Sequence, residues 1–278
     1  MSTPVYNLNH HWDEEIRRLR IQHNFFRSVT GGDLPDPVWE HIKQLKAPKI
    51  ADIGAGTGIW ATELAPKLPD TSVIDGYDID VIKFPDAKTL PGNVTLQFGD
   101  LFKPFPPEAV GKYDVVHVRF LVFALKKDEW IVAVKNLSKL LAPGGFLFWE
   151  ETGQYSWASS PWSEPYYQWV KLESEVGIQL GRDPLAPTKL PSQFKEAGLL
   201  DVAERVFPTL HHSSTRPADE QPGLLIMAQS IAGLIENGTL KGRYTEEDVR
   251  KLVDAARVDV EKGAAINANF HWTWGRRQ

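Results

Sequence analysis

Cysteine is absent from this 278-residue chain. Its absence excludes disulfides, thiolate metal sites and a cysteine nucleophile, and it fits a reducing, intracellular setting: cytoplasmic, with a nuclear location left open. Positive charge is also short. Thirty-one Lys and Arg face 36 Asp and Glu, for a net charge of -5. A protein that gripped phosphate backbones would carry a basic face, so nucleic acid is not an expected partner. No apolar run approaches the roughly 18 residues of a membrane span. Residues 1–11 have no apolar core, so neither a membrane nor a signal peptide is expected. No metal site is expected either, and nothing in the pattern speaks to oligomeric state.

What is present is a globular balance, 42% hydrophobic and 24% charged, sufficient for one large domain or a domain with an added cap. Ten tryptophans make aromatic surface abundant. The most informative stretch is Asp52-Ile53-Gly54-Ala55-Gly56-Thr57-Gly58, between a short apolar strand (49–53) and a helical pattern of Ile59, Trp60, Ala61 and Leu64. Strand, glycine turn and helix bring a backbone close to a nucleotide-like ligand. A phosphate-binding P-loop would continue with Lys-Ser/Thr, whereas Ile59-Trp60 follow here. The dinucleotide fingerprint G-x-G-x-x-G would need glycine at Ile59. An acidic Asp52 beside the turn suits a cationic ligand end and would repel a pyrophosphate.

Further along, a helix is expected within residues 1–30, with Ile16, Leu19, His23 and Phe26 on its apolar stripe and Glu14, Glu15, Arg17 and Arg18 opposite. A short helix follows at 38–45. A second strand (72–77) ends at Asp78, 26 residues beyond Asp52, where a ribose diol is held in such turns. A third strand (94–98) precedes Gly99-Asp100-Leu101, whose carboxylate can accept an exocyclic amine. In the fourth (113–118), His117 and Arg119 interrupt an apolar run and point to one face. A helix at 127–141 is expected to stop at Pro143-Gly144-Gly145. The fifth strand (146–149) ends in Glu150-Glu151, expected to be solvated or Arg-paired. Residues 152–190 carry Tyr155, Trp157, Trp162, Tyr166, Tyr167 and Trp169, suited to a satellite core or a substrate wall. Then come a helix (192–197), a sixth strand (200–207), an apolar hairpin or cap (219–236), a helix N-capped by Thr245 and a final strand (270–274).

Taken together, the glycine turn, Asp78, Gly99-Asp100, Tyr113-Asp114, Pro143-Gly144-Gly145 and the closing strand resemble a class I S-adenosylmethionine (SAM) methyltransferase. Leu19-Arg20-Ile21-Gln22-His23 and Tyr113-Asp114-Val115-Val116-His117-Val118-Arg119 resemble the fungal secondary-metabolism group that includes LaeA-type proteins. The resemblance implies an α/β Rossmann-like fold: a seven-stranded, mostly parallel sheet with helices on both faces. It implies a helical lid at 1–45 and a methyltransferase domain at 46–278, with cap insertions at 152–190 and 208–243. It also implies SAM as cofactor, contacted by Asp52, Gly54, Gly56, Asp78, Ile79, Gly99, Asp100, Leu101, Val118 and Arg119. Phe26, Phe120 and Trp157 are expected to line the substrate site.

The expected reaction is in-line transfer of an activated methyl to a small-molecule natural product. An alcohol or phenol acceptor needs a positioned base, for which His117 and His23 are the candidates; a thiol, ionising near pH 8.5, needs little help. The lack of an evident catalytic dyad and of any cysteine favours S-methylation of a dithiol metabolite of the gliotoxin type. O- or N-methylation of another metabolite, a LaeA-like regulatory role, and a pericyclase-like use of bound SAM remain alternatives.

Overall fold

The structure is a computed structural model describing residues 12–236, 238–240 and 242–278. The first 11 residues of the expected lid lie outside the described residues. The first half of the chain runs α1 (Trp12–Thr30), α2 (Asp36–Lys43), β1 (Lys49–Ile53), α3 (Ile59–Leu64), β2 (Val73–Asp78), β3 (Val94–Phe98), β4 (Tyr113–Arg119), α4 (Glu129–Ser138) and β5 (Leu141–Thr152). The second runs β6 (Ala158–Ser160), α5 (Glu164–Gln179), α6 (Ala186–Glu196), β7 (Leu200–Pro208), α7 (Leu210–Ser213), α8 (Pro222–Glu236), α9 (Glu246–Glu261), β8 (Ala265–Asn267) and β9 (Asn269–Arg276).

Seven strands form one sheet in the order β3-β2-β1-β4-β5-β9-β7. The strands from β3 to β5 pair in parallel, and β9 runs antiparallel to both β5 and β7. Strand alternation sends β4 into two cores. Val116 and Val118 pack with Trp130, Val134 and Leu137 of α4 and Leu190 and Phe194 of α6. Val115 packs with Phe25 and Phe26 of α1, Ile42 of α2 and Trp60 and Leu64 of α3. Each such fully buried large side chain contributes roughly 1.5–3 kcal/mol. The sheet is thus the expected mostly parallel seven-stranded one, helix-covered on both faces. Its order reverses between β1 and β4, and ligands bind outside the carboxyl ends of the strands at such a switch point.

Pro143-Gly144-Gly145 does not stop a helix. α4 ends earlier, with the N–H groups of Lys139 and Leu140 donating to the Asn136 and Leu137 carbonyls, and β5 begins at Leu141 and runs through the glycines. The β4–β5 register shifts between Tyr113 and Val115. A Cβ on Gly145 would lie 2.8 Å from the Tyr113 carbonyl oxygen, so the glycines build a bulge in the strand. α1 also departs from its expected polar face. Glu15, Arg18 and Gln22 are buried, because α1 packs against α3, α7 and α8 and so covers more than one side. Residues 222–236 form one helix, α8, and α9 carries a capping box between Thr245 and Asp248. α5, α8 and α9 share a third core built on Tyr166, Trp169, Met227, Ile231 and Val260. No helix among the described residues is long and apolar enough to cross a membrane.

Candidate active site

The glycine turn leaves β1 bound to the end of β2. The N–H groups of Gly54 and Ala55 both donate to the Tyr77 carbonyl, at 2.8 and 3.0 Å. Gly54, Gly56 and Gly58 sit at φ +72°, +58° and +71°, which side chains with a Cβ rarely adopt. Across the turn, Asp78 Oδ2 accepts from the Gly56 N–H at 2.7 Å and Oδ1 from the Asp80 N–H at 2.8 Å. Burial raises the Asp78 pKa, against the pull of those two donors. Each carboxylate oxygen keeps acceptor capacity for a further donor. Ile79, beyond it, is 61% exposed. Gly99 follows β3, its N–H donating to the Asp78 carbonyl. Asp100 accepts from the Phe102 N–H at 2.9 Å, and Leu101 tucks against the α4 core.

The floor is a buried polar chain. His117 Nδ1 lies 2.8 Å from Asp52 Oδ1, and Nε2 lies 2.8 Å from Glu150 Oε1. Trp60 of α3 stacks on the imidazole at 3.7 Å, and Glu150 Oε2 accepts from Trp272 Nε1 at 2.9 Å. Burial opposes charge on His117, but the bonds to Asp52 and Glu150 outweigh it and raise its pKa. Glu150 is thus buried between His117 and Trp272, not solvated. Glu151 is buried too. Burial pushes its carboxyl up to about 8, although it accepts from the Leu121 and Thr152 N–H groups and from Trp149 Nε1. Val118 has its side chain wholly inside the core, so only its backbone could face a ligand.

Helix α1 packs over the same strand end. Arg119 Nη1 donates to His23 Nδ1 at 2.9 Å, and His23 Nε2 bonds Glu63 Oε2 of α3 at 2.9 Å. Burial, and then the Arg119 charge, lower the His23 pKa to about 4, so the ring is neutral. The expectation that His117 or His23 serves as the base meets this geometry: all four ring nitrogens are engaged, and both side chains are buried. One turn of α1 further on, Phe26 packs against Phe120 (4.9 Å) and Phe270 (4.2 Å). Phe120 itself sits at φ +57°, a strained turn out of β4.

Beyond Phe26 opens a cleft enclosing about 410 Å³ of space, its mouth included. Phe25, Trp157, Tyr166, Trp169 and Ile226 wall it, with hydroxyls from Thr152, Thr209 and Ser213. Trp157 stacks on Trp169 at 5.1 Å. Phe26 and Trp157 are thus in the wall, whereas Phe120 backs Phe26 from outside it. None of the lining side chains is charged or a histidine. The hydroxyls of Tyr166 and Ser213 form no hydrogen bond among the described residues. Sequence reasoning named Tyr166 for its ring and missed Ser213 and Glu63, since no local pattern distinguishes them.

The turn fits SAM on its own chemistry. Asp52 Oδ2 is buried without a partner among the described residues, two positions before the glycine turn. A carboxylate oxygen left bare inside a protein costs about 1–3 kcal/mol unless a ligand or water supplies a donor, and an ammonium is such a donor.

Comparison with known proteins agrees. Residues 12–212 match the family described as a methyltransferase domain. The chain is 32% identical over 268 residues to methyltransferase grgD of a Penicillium species, covering 90% of this chain and 88% of that one. It is 31% identical to N-methyltransferase tcpN of Claviceps purpurea, over 69% of this chain and 68% of that one. It is 26% identical to the secondary metabolism regulator LAE1 of Gibberella fujikuroi, over 88% and 78%. In solved structures, one described as a sarcosine dimethylglycine methyltransferase from Galdieria sulphuraria shares the fold, with a TM-score of 0.51 at 16% identity over 99% of this chain and 92% of that one. This chain therefore belongs to the methyltransferase-domain family and is a class I SAM-dependent methyltransferase of the kind found in fungal secondary metabolism.

Proposed function

We propose that the protein methylates a heteroatom of a neutral, ring-bearing metabolite held in the aromatic cleft. The observation that carries this reading is the course of α1. Leu19 packs 3.9 Å from where a Cβ on Gly56 would lie, His23 bonds Arg119, and Phe25 and Phe26 form the cleft wall. One helix, α1, thereby spans from the cofactor turn to the cleft, and in this reading it forms the closing part of a lid at residues 1–45 over the 46–278 domain.

In this reading Asp52 receives the SAM ammonium, Gly54 and Gly56 give backbone contact, and Asp78 accepts from the ribose diol. Asp100 accepts from the adenine amine, with Ile79, Gly99 and Leu101 flanking the ring. Arg119 and the Val118 backbone lie at the junction with the cleft. SAM supplies a methyl already activated on a sulfonium, which departs as a neutral thioether. The chain's own part is alignment and exclusion of water. No charged base or histidine lines the cleft, which favours an acceptor that attacks unaided. S-methylation of a dithiol metabolite is the specific proposal, since a thiol ionises near pH 8.5. Nitrogen methylation is the second reading, favoured by the name of tcpN.

Turnover decides among these. Protein, SAM and a panel of a reduced dithiol, secondary amines, amides and phenols are incubated, and S-adenosylhomocysteine release is followed by mass spectrometry. Product from the dithiol supports the first reading, and product from nitrogen acceptors alone replaces it with the second. Cofactor binding without any product shifts the chain toward the regulatory role borne by LAE1 or toward non-methylating use of SAM. Asp78→Ala is expected to weaken SAM binding by about 10–100-fold, the loss of bonds to a charged acceptor; unchanged affinity by calorimetry would remove Asp78 from the site.

A further inference from the structure

We propose that His117 is a positioning residue for the cofactor: by donating to Asp52 and Glu150 at once, it fixes the Asp52 carboxylate so that its second oxygen is held ready for the SAM ammonium. This rests on the reading that Asp52 receives that group.

The geometry supports it from four elements. Asp52 comes from β1, His117 from β4, Glu150 from β5 and Trp272 from β9, and they are 2%, 0%, 5% and 3% exposed. An ionised carboxylate can only accept, so with Asp52 and Glu150 both ionised a ring lying 2.8 Å from an oxygen of each donates twice, as an imidazolium. The ring cannot swing away. Trp60 stacks on it with planes 13° apart, and Phe148 packs 5.4 Å from its centre. Glu150 is itself held by Trp272, and Arg119 acts on it through its charge. Asp52 therefore has Oδ1 pinned by a rigid cation and Oδ2 bare. Without the imidazolium, Asp52 and Glu150 would be two carboxylates sharing a dry site, where one takes up a proton or turns aside. No proton leaves or enters His117 in this role, and His117 is not among the residues that wall the cleft.

Two ligands separate positioning from general support. S-adenosylhomocysteine carries the ammonium, whereas 5′-methylthioadenosine keeps the nucleoside but lacks the amino-acid end. In calorimetry, His117→Asn and His117→Gln should each weaken S-adenosylhomocysteine by about tenfold or more and leave 5′-methylthioadenosine within about twofold. Equal losses for both ligands would make His117 a structural residue only, and no loss for either would remove it from the site. A wild-type protein that binds neither ligand would instead overturn the SAM-site reading itself. Should neither variant fold, the wild type still decides. In spectra of 15N-histidine protein, one of the eight histidines should keep both ring nitrogens protonated at pH 8 and shift with S-adenosylhomocysteine but not with 5′-methylthioadenosine. Eight neutral rings at pH 8 would overturn the proposal.

Discussion

Two histidines bracket the same site, both buried, each with both ring nitrogens bonded at 2.8–2.9 Å, and their pKa values move in opposite directions. His117, in the floor, is raised; His23, in the lid, is lowered to about 4. Burial disfavours the charged form of both. The partners decide the rest. Two carboxylates flank His117 and stabilise the cation, whereas Arg119 occupies one side of His23 and requires a lone pair there. The floor is thus a fixed charge cluster locked between strands. The proposed lid, α1, is held by a neutral latch on two partners, Arg119 and Glu63, and the two regions should respond differently to the same perturbations.

The largest expected effect comes from breaking the floor. Glu150→Ala strips His117 of one acceptor and orphans Trp272 Nε1. Removing one partner of a buried pair costs about 3–5 kcal/mol, and denaturant titration should show a loss of that order. A loss under about 1 kcal/mol would mean that the cluster is hydrated and that the contrast with the lid is false.

The lid should respond to acid. In the unfolded chain His23 takes a proton near pH 6.5, and in the folded chain only near 4. The latch is therefore at full strength above pH 6.5 and is lost progressively as pH falls from 6.5 toward 4. The whole difference is at most about 3 kcal/mol. Protection factors of the α1 amides, corrected for intrinsic exchange, should fall between pH 7 and pH 5, and His23→Gln should flatten that dependence. Unchanged α1 protection across the interval in the wild type would dismiss the latch.

Much of this contrast was legible before folding, and the limits are instructive. β1 begins and ends where its apolar run does, because a central parallel strand buries both faces; β3 was legible for another reason, as an edge strand whose Val94, Leu96 and Phe98 alternate with polar Thr95 and Gln97. Asp78 was singled out by its spacing from the glycine turn, a constraint set by one βα unit, and its carboxylate does accept from the Gly56 N–H of that turn. Pro143-Gly144-Gly145 misled because glycine serves a helix stop and a strand bulge equally, and only the crowding against the Tyr113 carbonyl distinguishes them. The burial of Glu15, Arg18 and Gln22 was hidden, because a helix covered from several sides needs no single apolar stripe. The histidines were legible as polar residues in apolar surroundings, but their roles depend on Glu63, Asp52 and Glu150, which arrive from other segments.

The smallest expected effect sharpens the comparison from outside it. Tyr166 is as buried as the two histidines, yet its hydroxyl has no hydrogen-bond partner among the described residues, and burial raises its pKa well above the ordinary phenol value. A group that the fold leaves unsatisfied in a cleft wall is available to a ligand. Tyr166→Phe removes only that hydroxyl. Stability should therefore stay within about 0.5 kcal/mol, and SAM affinity should not move. The acceptor KM should rise about three- to tenfold, the worth of one neutral hydrogen bond. A fall in stability with unchanged KM would show that Tyr166 supports the cap alone, and the hydroxyl would then join the floor as structure.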